Sequence, residues 1–255
     1  MTLLAITREV SPALERCELT HLARRPIDVD RARRQHAAYC ALLAELGCEV
    51  QRLPAEPDLP DSVFVEDAAV VLDEVAIVAR PGAASRRAET TSVAAALAPH
   101  RELLYIEAPA TLDGGDVLCL ARDVFVGLSS RSGEPALAQM RTLLEPRGLR
   151  VHGVPLDGCL HLKSAACAVG VGTLLVQPRW VDPRAFAGYE CIAVDESEPF
   201  AANAVRVRDA LIHPEAFPRT RERLEERGVR VLPVAADELA KAEGGVSCCS
   251  LLVER

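Results

Sequence analysis

The sequence has no run of apolar residues long enough to cross a bilayer, so no membrane-spanning helix is predicted. It has no excess of basic residues either. Its 29 Lys and Arg against 37 Asp and Glu leave a formal net charge of −8, which argues against nucleic acid and anionic membrane surfaces as partners. Neither a CxxC nor an HxxxH pair occurs, so local spacing predicts no metal site. The acidic balance suits a small cationic substrate.

Signals for export are missing as well. The segment MTLLAITREVSP has neither a basic lead nor a small-residue cleavage site after an apolar run, so we predict no signal peptide. The nine cysteines are an odd number, and without an export signal we expect them to be reduced thiols of a cytoplasmic protein. Those in apolar contexts are expected to be small core residues: Cys40, Cys48, Cys119 and Cys167.

What the sequence does contain is a repeat. Its 255 residues, 49% hydrophobic and 26% charged, are typical of a globular protein of one large or two small domains. Two adjacent apolar strands recur along the chain, and each pair opens on a short polar signature. The four complete pairs are DSVFVEDAAVVL with EVAIVARPG, ATLDGGDVLCLA with DVFVGLSS, HLKSAACAVG with TLLVQP, and FAANAVRV with DALIHP.

Each pair is followed by a helical stretch and a third strand, as in GEPALAQMRTLLEPRG before RVHGVPL. A fifth unit begins with GGVSCCSLLVE, and the N-terminal segments TLLAIT, DVDRARRQHAAYCALLAELG and CEVQRLP supply its missing strand, helix and strand. The pattern predicts an α/β ring of five ββαβ units around a central pocket. It would be one domain, residues 1–255, closed by the N- and C-terminal strands. An ordinary mixed α/β sheet is the alternative.

If the opening strands converge on the ring axis, their polar residues meet in one pocket. These residues are Glu66, Asp67, Asp113, Asp116, His161, Asn203 and either Cys248 or Cys249. A thiol, an imidazole and carboxylates are the ingredients of nucleophilic catalysis. Because neighbours in a strand point to opposite faces, only one of the two cysteines can face the pocket, and their spacing does not decide which.

Each signature also has a plainer structural interpretation. Charged pairs such as Glu66 and Asp67 usually mark a solvated turn, but apolar runs flank this pair, and buried carboxylates need a partner such as a guanidinium. The glycines of TLDGGDVL indicate a tight turn, and Asp116 is expected to support that turn. For Asp113 a structural role in the turn and a functional role in the pocket are both open. His161, between two leucines, would ordinarily be a core residue.

Three arginines follow strand pairs and are expected on loops at the rim: Arg86, Arg87 and Arg131. Most loop arginines are simply exposed to solvent, but a guanidinium can bind a carboxylate through two parallel hydrogen bonds. These arginines are therefore candidates for binding a carboxylate of the substrate.

The motifs PDSVFVEDAAVV, RPGAASRRAE, TLDGGDVL, FVGLSSRS, LHLKS, AAN and GGVSCCS occur in this order along the chain. In order and spacing they closely resemble the dimethylarginine dimethylaminohydrolases, and the resemblance extends from Leu19 to Leu251. The wider family of guanidino-group-modifying enzymes includes arginine deiminases and amidinotransferases. Its members share a five-bladed α/β propeller, and the resemblance implies that fold here.

The resemblance implies hydrolysis of dimethylarginine and monomethylarginine to citrulline and dimethylamine or methylamine. The reaction would pass through a covalent S-alkylthiouronium, with neither metal nor organic cofactor. The resemblance makes Cys248 the nucleophile, His161 the general acid and base, and Asp113 the carboxylate that completes a triad. The residues implied to contact the substrate are Glu66 and Asp67 at its guanidinium, Asp61, Arg86 and Arg131 at its amino-acid end, and Leu19 on a loop over the site.

Other functions remain as alternatives. A deiminase acting on arginine itself would use the same kind of site and release ammonia. A non-catalytic binding protein on the same scaffold should have lost one of Asp113, His161 or Cys248, and none is missing. A thiol-based metal or redox sensor would depend on both Cys248 and Cys249. The sequence leaves open the preferred degree of methylation and whether the protein forms a homodimer.

Overall fold

Five small sheets of three strands each make up the part of the chain that is described, residues 2–255 of a computed structural model. The strands are β1 (Leu3–Arg8), β2 (Cys48–Leu53), β3 (Ala69–Val71), β4 (Val75–Val78), β5 (Glu102–Tyr105), β6 (Val117–Leu120), β7 (Asp123–Leu128), β8 (Arg150–Pro155), β9 (Ala166–Gly170), β10 (Thr173–Val176), β11 (Glu190–Ala193), β12 (Val205–Val207), β13 (Ala210–Pro214), β14 (Arg230–Val234) and β15 (Leu251–Glu254). The helices are α1 (Val29–Glu45), α2 (Glu89–Leu97), α3 (Glu134–Leu144), α4 (Leu162–Ala165), α5 (Pro218–Glu225) and α6 (Asp237–Ala240). Short 3₁₀ turns occur at Leu14–Arg16, Val65–Ala68, Ala84–Arg86, Gly114–Asp116, Glu145–Arg147, Pro183–Phe186 and Ser247–Cys249.

Every sheet has the same topology, which confirms the predicted α/β fold of five ββαβ units. Four sheets have the strand orders β3-β4-β5, β6-β7-β8, β9-β10-β11 and β12-β13-β14, and the fifth has the order β15-β1-β2. In each, the first two strands are antiparallel and the last two parallel. The N-terminal strand β1 and the C-terminal strand β15 therefore lie side by side in one sheet.

Parallel strands need a crossover connection, and a helix supplies it in four of the units. These helices are α1, α2, α3 and α5, whereas the third unit crosses with only the 3₁₀ turn Pro183–Phe186. The longest crossover, α1, begins where the Asp28 side chain accepts a hydrogen bond from the Arg31 N–H at 2.9 Å, and it is followed by Gly47 at a φ of +82°. Its buried positions include Ala32, Tyr39 and Leu43, which form one apolar stripe.

The polar signatures differ from the prediction in their local structure. They were expected within the opening strands, but Glu66 and Asp67 lie in a 3₁₀ turn that precedes β3. Asp113 and His161 each precede a helical turn, and Cys248 lies in the turn before β15. The reason is that side chains on these strands alternate between faces, whereas a turn at the strand entrance can present consecutive polar residues to the axis.

The first strands of all five units surround the ring axis and line an open cavity of about 270 Å³. Each of these five strands contributes side chains to the cavity wall, among them Val71, Cys119, Ala168, Arg206 and Leu252. Five apolar clusters fill the spaces between sheets and helices. The entrance turns lie at one end of this axial cavity, where the candidate site is found.

None of the helices within residues 2–255 has the length and apolar character needed to cross a membrane. All nine cysteines are free thiols. Of the four predicted as core residues, Cys40, Cys48 and Cys167 are buried and Cys119 is partly exposed.

Candidate active site

A narrow pocket lies where the entrance turns meet. Its walls are formed by Glu18, Asp61, Phe64, Asp67, Arg86, Arg131, Leu160, His161, Ala242, Glu243, Gly244 and Cys248. Six of these are residues that the sequence analysis singled out: Asp61, Asp67, Arg86, Arg131, His161 and Cys248. Of the other candidates, Asp113 lies directly behind His161, whereas Glu66 and Leu19 lie outside this wall.

The turn Ser247–Cys249 separates the two neighbouring cysteines. Cys248 lines the pocket, and its Sγ accepts a hydrogen bond from the Gly245 N–H at 3.3 Å. Cys249 is 1% exposed and packs in the apolar core with Tyr39 and Cys40. The prediction that strand alternation separates the two thiols is therefore wrong, because both lie in a turn and not in a strand. Instead, a 3₁₀ turn of three residues per turn points successive side chains about 120° apart.

Burial raises the pKa of the Cys248 thiol, and the carboxylates of Glu66 and Asp67 raise it further. The hydrogen bond from Gly245 acts in the opposite direction but is the weaker influence. Since an unperturbed thiol has a pKa of about 8.5, Cys248 is protonated at neutral pH in the unliganded protein.

His161 is held between two carboxylates. Its Nε2 lies 3.1 Å from Asp113 Oδ2, and its Nδ1 lies 3.5 Å from Asp67 Oδ1. Burial alone would lower the pKa of His161, but the carboxylates of Asp67, Asp113 and Asp116 outweigh burial and raise the pKa to about 9. The imidazole is therefore a cation at neutral pH, and both of its nitrogens can donate.

Asp113 is completely buried and is fixed on both sides. Its Oδ1 accepts a hydrogen bond from the Gly82 N–H at 2.8 Å, and its own N–H donates to Ser132 Oγ at 3.0 Å. This leaves Oδ2 to face His161 and, at 3.8 Å, Arg131 Nη1. Asp113 thus orients the imidazole from behind and does not line the pocket itself.

Asp116, in contrast, bonds only to structural groups. It accepts hydrogen bonds from the hydroxyls of Ser129 and Ser132, both at 2.6 Å, and from the Leu162 N–H at 3.0 Å. Burial raises the pKa of Asp116 to about 6. These contacts agree with the structural role expected for it.

The two glycines between the aspartates let the turns approach closely. A Cβ on Gly114 would lie 2.0 Å from the Glu66 carbonyl oxygen. One on Gly115 would lie 2.6 Å from both Asp67 Oδ1 and His161 Nδ1. Any side chain at Gly115 would therefore push these two groups apart, so the glycine pair is needed for close approach as well as for the turn.

Asp67 finds its guanidinium partner within the chain. Arg86 Nη1 donates to Asp67 Oδ2 at 2.7 Å, and the Gly115 N–H donates to Oδ1 at 3.1 Å. Arg86 was expected on an exposed rim loop, but it is 4% exposed because its guanidinium is enclosed by hydrogen-bond acceptors. All three of its nitrogens already donate, and the remaining contacts are to Glu89 and to the carbonyl oxygens of Asp61 and Phe64. Its neighbour Arg87 donates to the Pro81 carbonyl.

Glu66 lies in the wall between the pocket and the axial cavity. It accepts hydrogen bonds from Lys163 Nζ and from Ser247 Oγ, each at 2.7 Å. Asn203 fixes the same turn, since its amide oxygen accepts from the Ser247 N–H at 3.0 Å and its Nδ2 donates to Ser247 Oγ at 2.9 Å. Both side chains thereby hold the turn that carries Cys248, and neither lines the pocket.

Arg131 lines the pocket and has an unused hydrogen-bond donor. Its Nη1 is buried and has no hydrogen-bond partner among residues 2–255. Its Nη2 donates to Thr20 Oγ1 at 3.0 Å. Thr20 belongs to the segment of residues 18–22, which we call the covering loop. Asp61 is connected to the same loop, because it accepts a hydrogen bond from the Glu18 N–H at 3.1 Å. In that loop Glu18 lines the pocket and Leu19 packs on the core.

Four charged contributors were missed from the sequence: Glu18, Lys163, Glu89 and Glu243. The Glu243 carboxylate accepts N–H hydrogen bonds from residues 20–22 and so holds the covering loop. Two features of the sequence could have indicated two of these residues: Lys163 belongs to the motif LHLKS, and Glu89 follows Arg86 by three residues, a spacing that suits an ion pair. Within residues 2–255, no three His, Cys, Asp or Glu side chains come together as a metal site would require.

Comparison with known proteins points to one family. The profile of the family described as "N,N dimethylarginine dimethylhydrolase, eukaryotic" matches residues 22–253. The chain is 36% identical to the N(G),N(G)-dimethylarginine dimethylaminohydrolase of Pseudomonas aeruginosa, over 88% of this chain and 89% of that one. It is 37% identical to the protein of the same name from Streptomyces coelicolor, over 97% and 95% of the two chains.

Solved structures give the same result. A cysteine-to-serine mutant of the P. aeruginosa enzyme complexed with citrulline superposes with a TM-score of 0.93 at 33% identity, covering 99% of this chain and all of that one. A dimethylarginine dimethylaminohydrolase adduct with S-methyl-L-thiocitrulline also superposes at 0.93, with 34% identity and the same coverage. This chain, with its five-unit ring and its pocket of thiol, imidazole and carboxylates, belongs to the dimethylarginine dimethylaminohydrolase family of hydrolases.

Proposed function

We propose that this protein hydrolyses dimethylarginine and monomethylarginine to citrulline and dimethylamine or methylamine, through an S-alkylthiouronium on Cys248. One observation carries the proposal. A single narrow pocket holds the Cys248 thiol, the His161 cation and the Asp67 carboxylate, and its wall includes Arg131, whose Nη1 makes no hydrogen bond. Such a pocket is complementary to a methylated arginine, which is cationic at one end and zwitterionic at the other.

The two ends of the substrate find opposite charges. Arg131 would bind the α-carboxylate through Nη1, which makes no hydrogen bond within the protein, and Asp61 would bind the ammonium group. Asp67 would face the guanidinium from the inner wall, with Glu66 contributing negative charge from behind. The family resemblance implies that Arg86 acts at the amino-acid end. Because Arg86 already donates through every nitrogen, it would instead act mainly by fixing Asp67 at the guanidinium end. Leu19 would act through the loop that covers the site.

Substrate binding would also activate the nucleophile. A guanidinium carbon is a poor electrophile, so attack requires a thiolate held close to it. The carboxylates keep Cys248 protonated in the empty pocket, whereas a bound cation favours its ionisation. The thiol proton leaves to solvent as the cationic substrate enters, and the thiolate forms only where it is needed.

The chemical steps then follow in order. The Cys248 thiolate attacks the central guanidinium carbon, and His161 gives its proton to the departing dimethylamine. This breaks a carbon–nitrogen bond and leaves the S-alkylthiouronium. The neutral His161 next removes a proton from water, which adds to the same carbon. Cleavage of the carbon–sulfur bond releases citrulline and regenerates Cys248. Asp113 stabilises the His161 cation before it gives up its proton and after it takes one from water, and the scheme uses only protein groups, substrate and water.

The proposal includes the setting of the site. We take residues 1–255 to act as one catalytic domain, supported by the pairing of β1 with β15, which joins the two chain ends in one sheet. The free state of all nine cysteines supports a cytoplasmic location.

A substrate assay tests the function. Purified protein is incubated with asymmetric dimethylarginine, monomethylarginine and arginine, and citrulline is measured alongside the released amine or ammonia. We expect citrulline from both methylated substrates and much less from arginine. Equal or faster turnover of arginine would make the protein a deiminase instead, and no turnover of any of the three would refute the proposed function.

A further inference from the structure

Glu89 lies behind the pocket, at the start of α2, and is 3% exposed. Both of its carboxylate oxygens accept hydrogen bonds from Arg86. Arg86 Nε donates to Oε1 at 3.2 Å, and Arg86 Nη2 donates to Oε2 at 2.8 Å. A two-point contact of this kind fixes the plane of the guanidinium, which a single hydrogen bond would leave free to rotate.

Arg86 transmits this constraint to Asp67. The third guanidinium nitrogen, Nη1, donates to Asp67 Oδ2 at 2.7 Å. That contact leaves Asp67 Oδ1 to accept the Gly115 N–H and to face His161 Nδ1 at 3.5 Å. The orientation of the carboxylate next to the proposed acid and base is thus set by an arginine whose own orientation is set by Glu89.

We propose that Glu89 is a positioning residue for the reaction: by fixing Arg86 it keeps the Asp67 carboxylate turned toward His161 and the substrate guanidinium. The inference rests on the proposed function, because Asp67 and His161 act in it. A purely structural Glu89 would only neutralise the buried Arg86. Its loss would then lower stability without altering the environment of His161.

The two roles differ in what happens at His161, which is faced by Asp67, Asp113 and Asp116 and shares the pocket with Arg131. Burial raises the pKa of Glu89 to about 7, so Glu89 is ionised near pH 9, where His161 titrates. Replacing it by glutamine keeps the size of the side chain but removes that charge and one of its two acceptors. The uncompensated Arg86 cation then draws the Asp67 carboxylate away from the imidazole. Losing a negative charge and losing this contact both disfavour the imidazolium, so the pKa of His161 should fall.

The experiment is an NMR titration of the ¹⁵N-labelled histidine rings in the unliganded protein, which needs no turnover. We compare the wild type with Glu89→Gln, Glu89→Asp and a control, Glu56→Gln. The control removes a carboxylate that pairs with another buried arginine, Arg8 Nη1 at 2.7 Å, but has no contact with Asp67. We expect a lower His161 pKa in Glu89→Gln, a value near that of the wild type in the charge-retaining Glu89→Asp, and no change in Glu56→Gln.

Steady-state kinetics on dimethylarginine give a second measurement. We expect Glu89→Gln to lower kcat about tenfold to a hundredfold, with a smaller change in KM and partial recovery in Glu89→Asp, because misplacement at the reacting centre costs about this much. A folded Glu89→Gln with an unchanged His161 titration and unchanged kcat would overturn the proposal.

If Glu89→Gln does not fold, Arg86→Lys provides the test, since lysine cannot bridge Glu89 and Asp67 with a planar group. An unchanged His161 titration in that variant would equally overturn the proposal. If the wild type turns over no methylarginine, the proposed function fails, while the titrations still show whether Glu89 sets the environment of His161.

Discussion

We predict that raising the pH from 6.5 to 9.5 weakens the fold through His161. In the folded protein burial is outweighed by the carboxylates of Asp67, Asp113 and Asp116, and the pKa of His161 is raised to about 9. In the unfolded chain it returns to about 6.5. Between these values the folded chain binds a proton that the unfolded chain does not. The stabilisation is therefore fully present below pH 6.5 and is lost as the pH rises through about 9.

The size of the effect follows from the two pKa values. A difference of about 2.5 pKa units, at about 1.4 kcal/mol per unit, corresponds to about 3.5 kcal/mol of unfolding free energy, of which about 3 kcal/mol is lost between pH 6.5 and 9.5. Small proteins are stable by about 5–15 kcal/mol, so this is a large share. Buried thiols act in the same direction above pH 8.5. Burial raises the pKa of Cys159 and that of Cys167 to about 12, whereas unfolded thiols ionise at about 8.5.

The assay is urea unfolding of the wild type and His161→Gln at several pH values from 6.5 to 9.5. Since the thiol contribution is common to both proteins, the difference between them isolates the histidine. We expect that difference to shrink by about 3 kcal/mol across the range. Parallel stability curves, or a His161 pKa at or below 6.5 in an NMR titration, would refute the reasoning.

Three further predictions concern catalysis. Cys248→Ser should abolish citrulline formation while Cys249→Ser retains most of it, because only the former lines the pocket; the reverse result would overturn the assignment. A cationic, unreactive arginine analogue should lower the pKa of the Cys248 thiol, measured as the pH dependence of its alkylation, and an unchanged pKa would contradict substrate-assisted ionisation. Arg131→Lys should raise KM for dimethylarginine about tenfold to a hundredfold with little change in kcat, because a charged hydrogen bond contributes about 1.5–3 kcal/mol. An unaltered KM would show that Arg131 does not bind the carboxylate.

The fivefold architecture could be predicted because similar sequence segments recur at regular intervals along the chain. Polar signatures recur every 42 to 48 residues before an apolar strand pair, and each unit must bury its apolar faces against the next. The same spacing indicated that Asp67, His161 and Cys248 approach one another. Choosing Cys248 over Cys249 needed the family resemblance, since strand alternation leaves both open.

Local turn geometry and distant ion pairs could not be predicted in this way. An apolar run after Glu66 and Asp67 looks the same whether the pair lies in the strand or in the turn before it, so the 3₁₀ turns went unforeseen. Lys163 pairs with Glu66 across 97 residues, and no periodic pattern specifies which cation fills a given gap. Arg86 was expected on the rim because loop arginines usually are, and only the buried carboxylates around it explain its position.

The pairing of β1 with β15 has a consequence for how the protein folds. The turn that carries Cys248 leads directly into β15, and β15 is held by a strand about 250 residues away along the chain. Closing a loop of that length costs about 5 kcal/mol of chain entropy, to be recovered from contacts made after the ends meet. Four sheets are built from neighbouring segments, whereas the fifth, which leads out of the Cys248 turn, needs the two most distant parts of the chain to meet. We therefore expect that fifth sheet to form last, and a chain unable to pair β1 with β15 to lack activity even where its other sheets form.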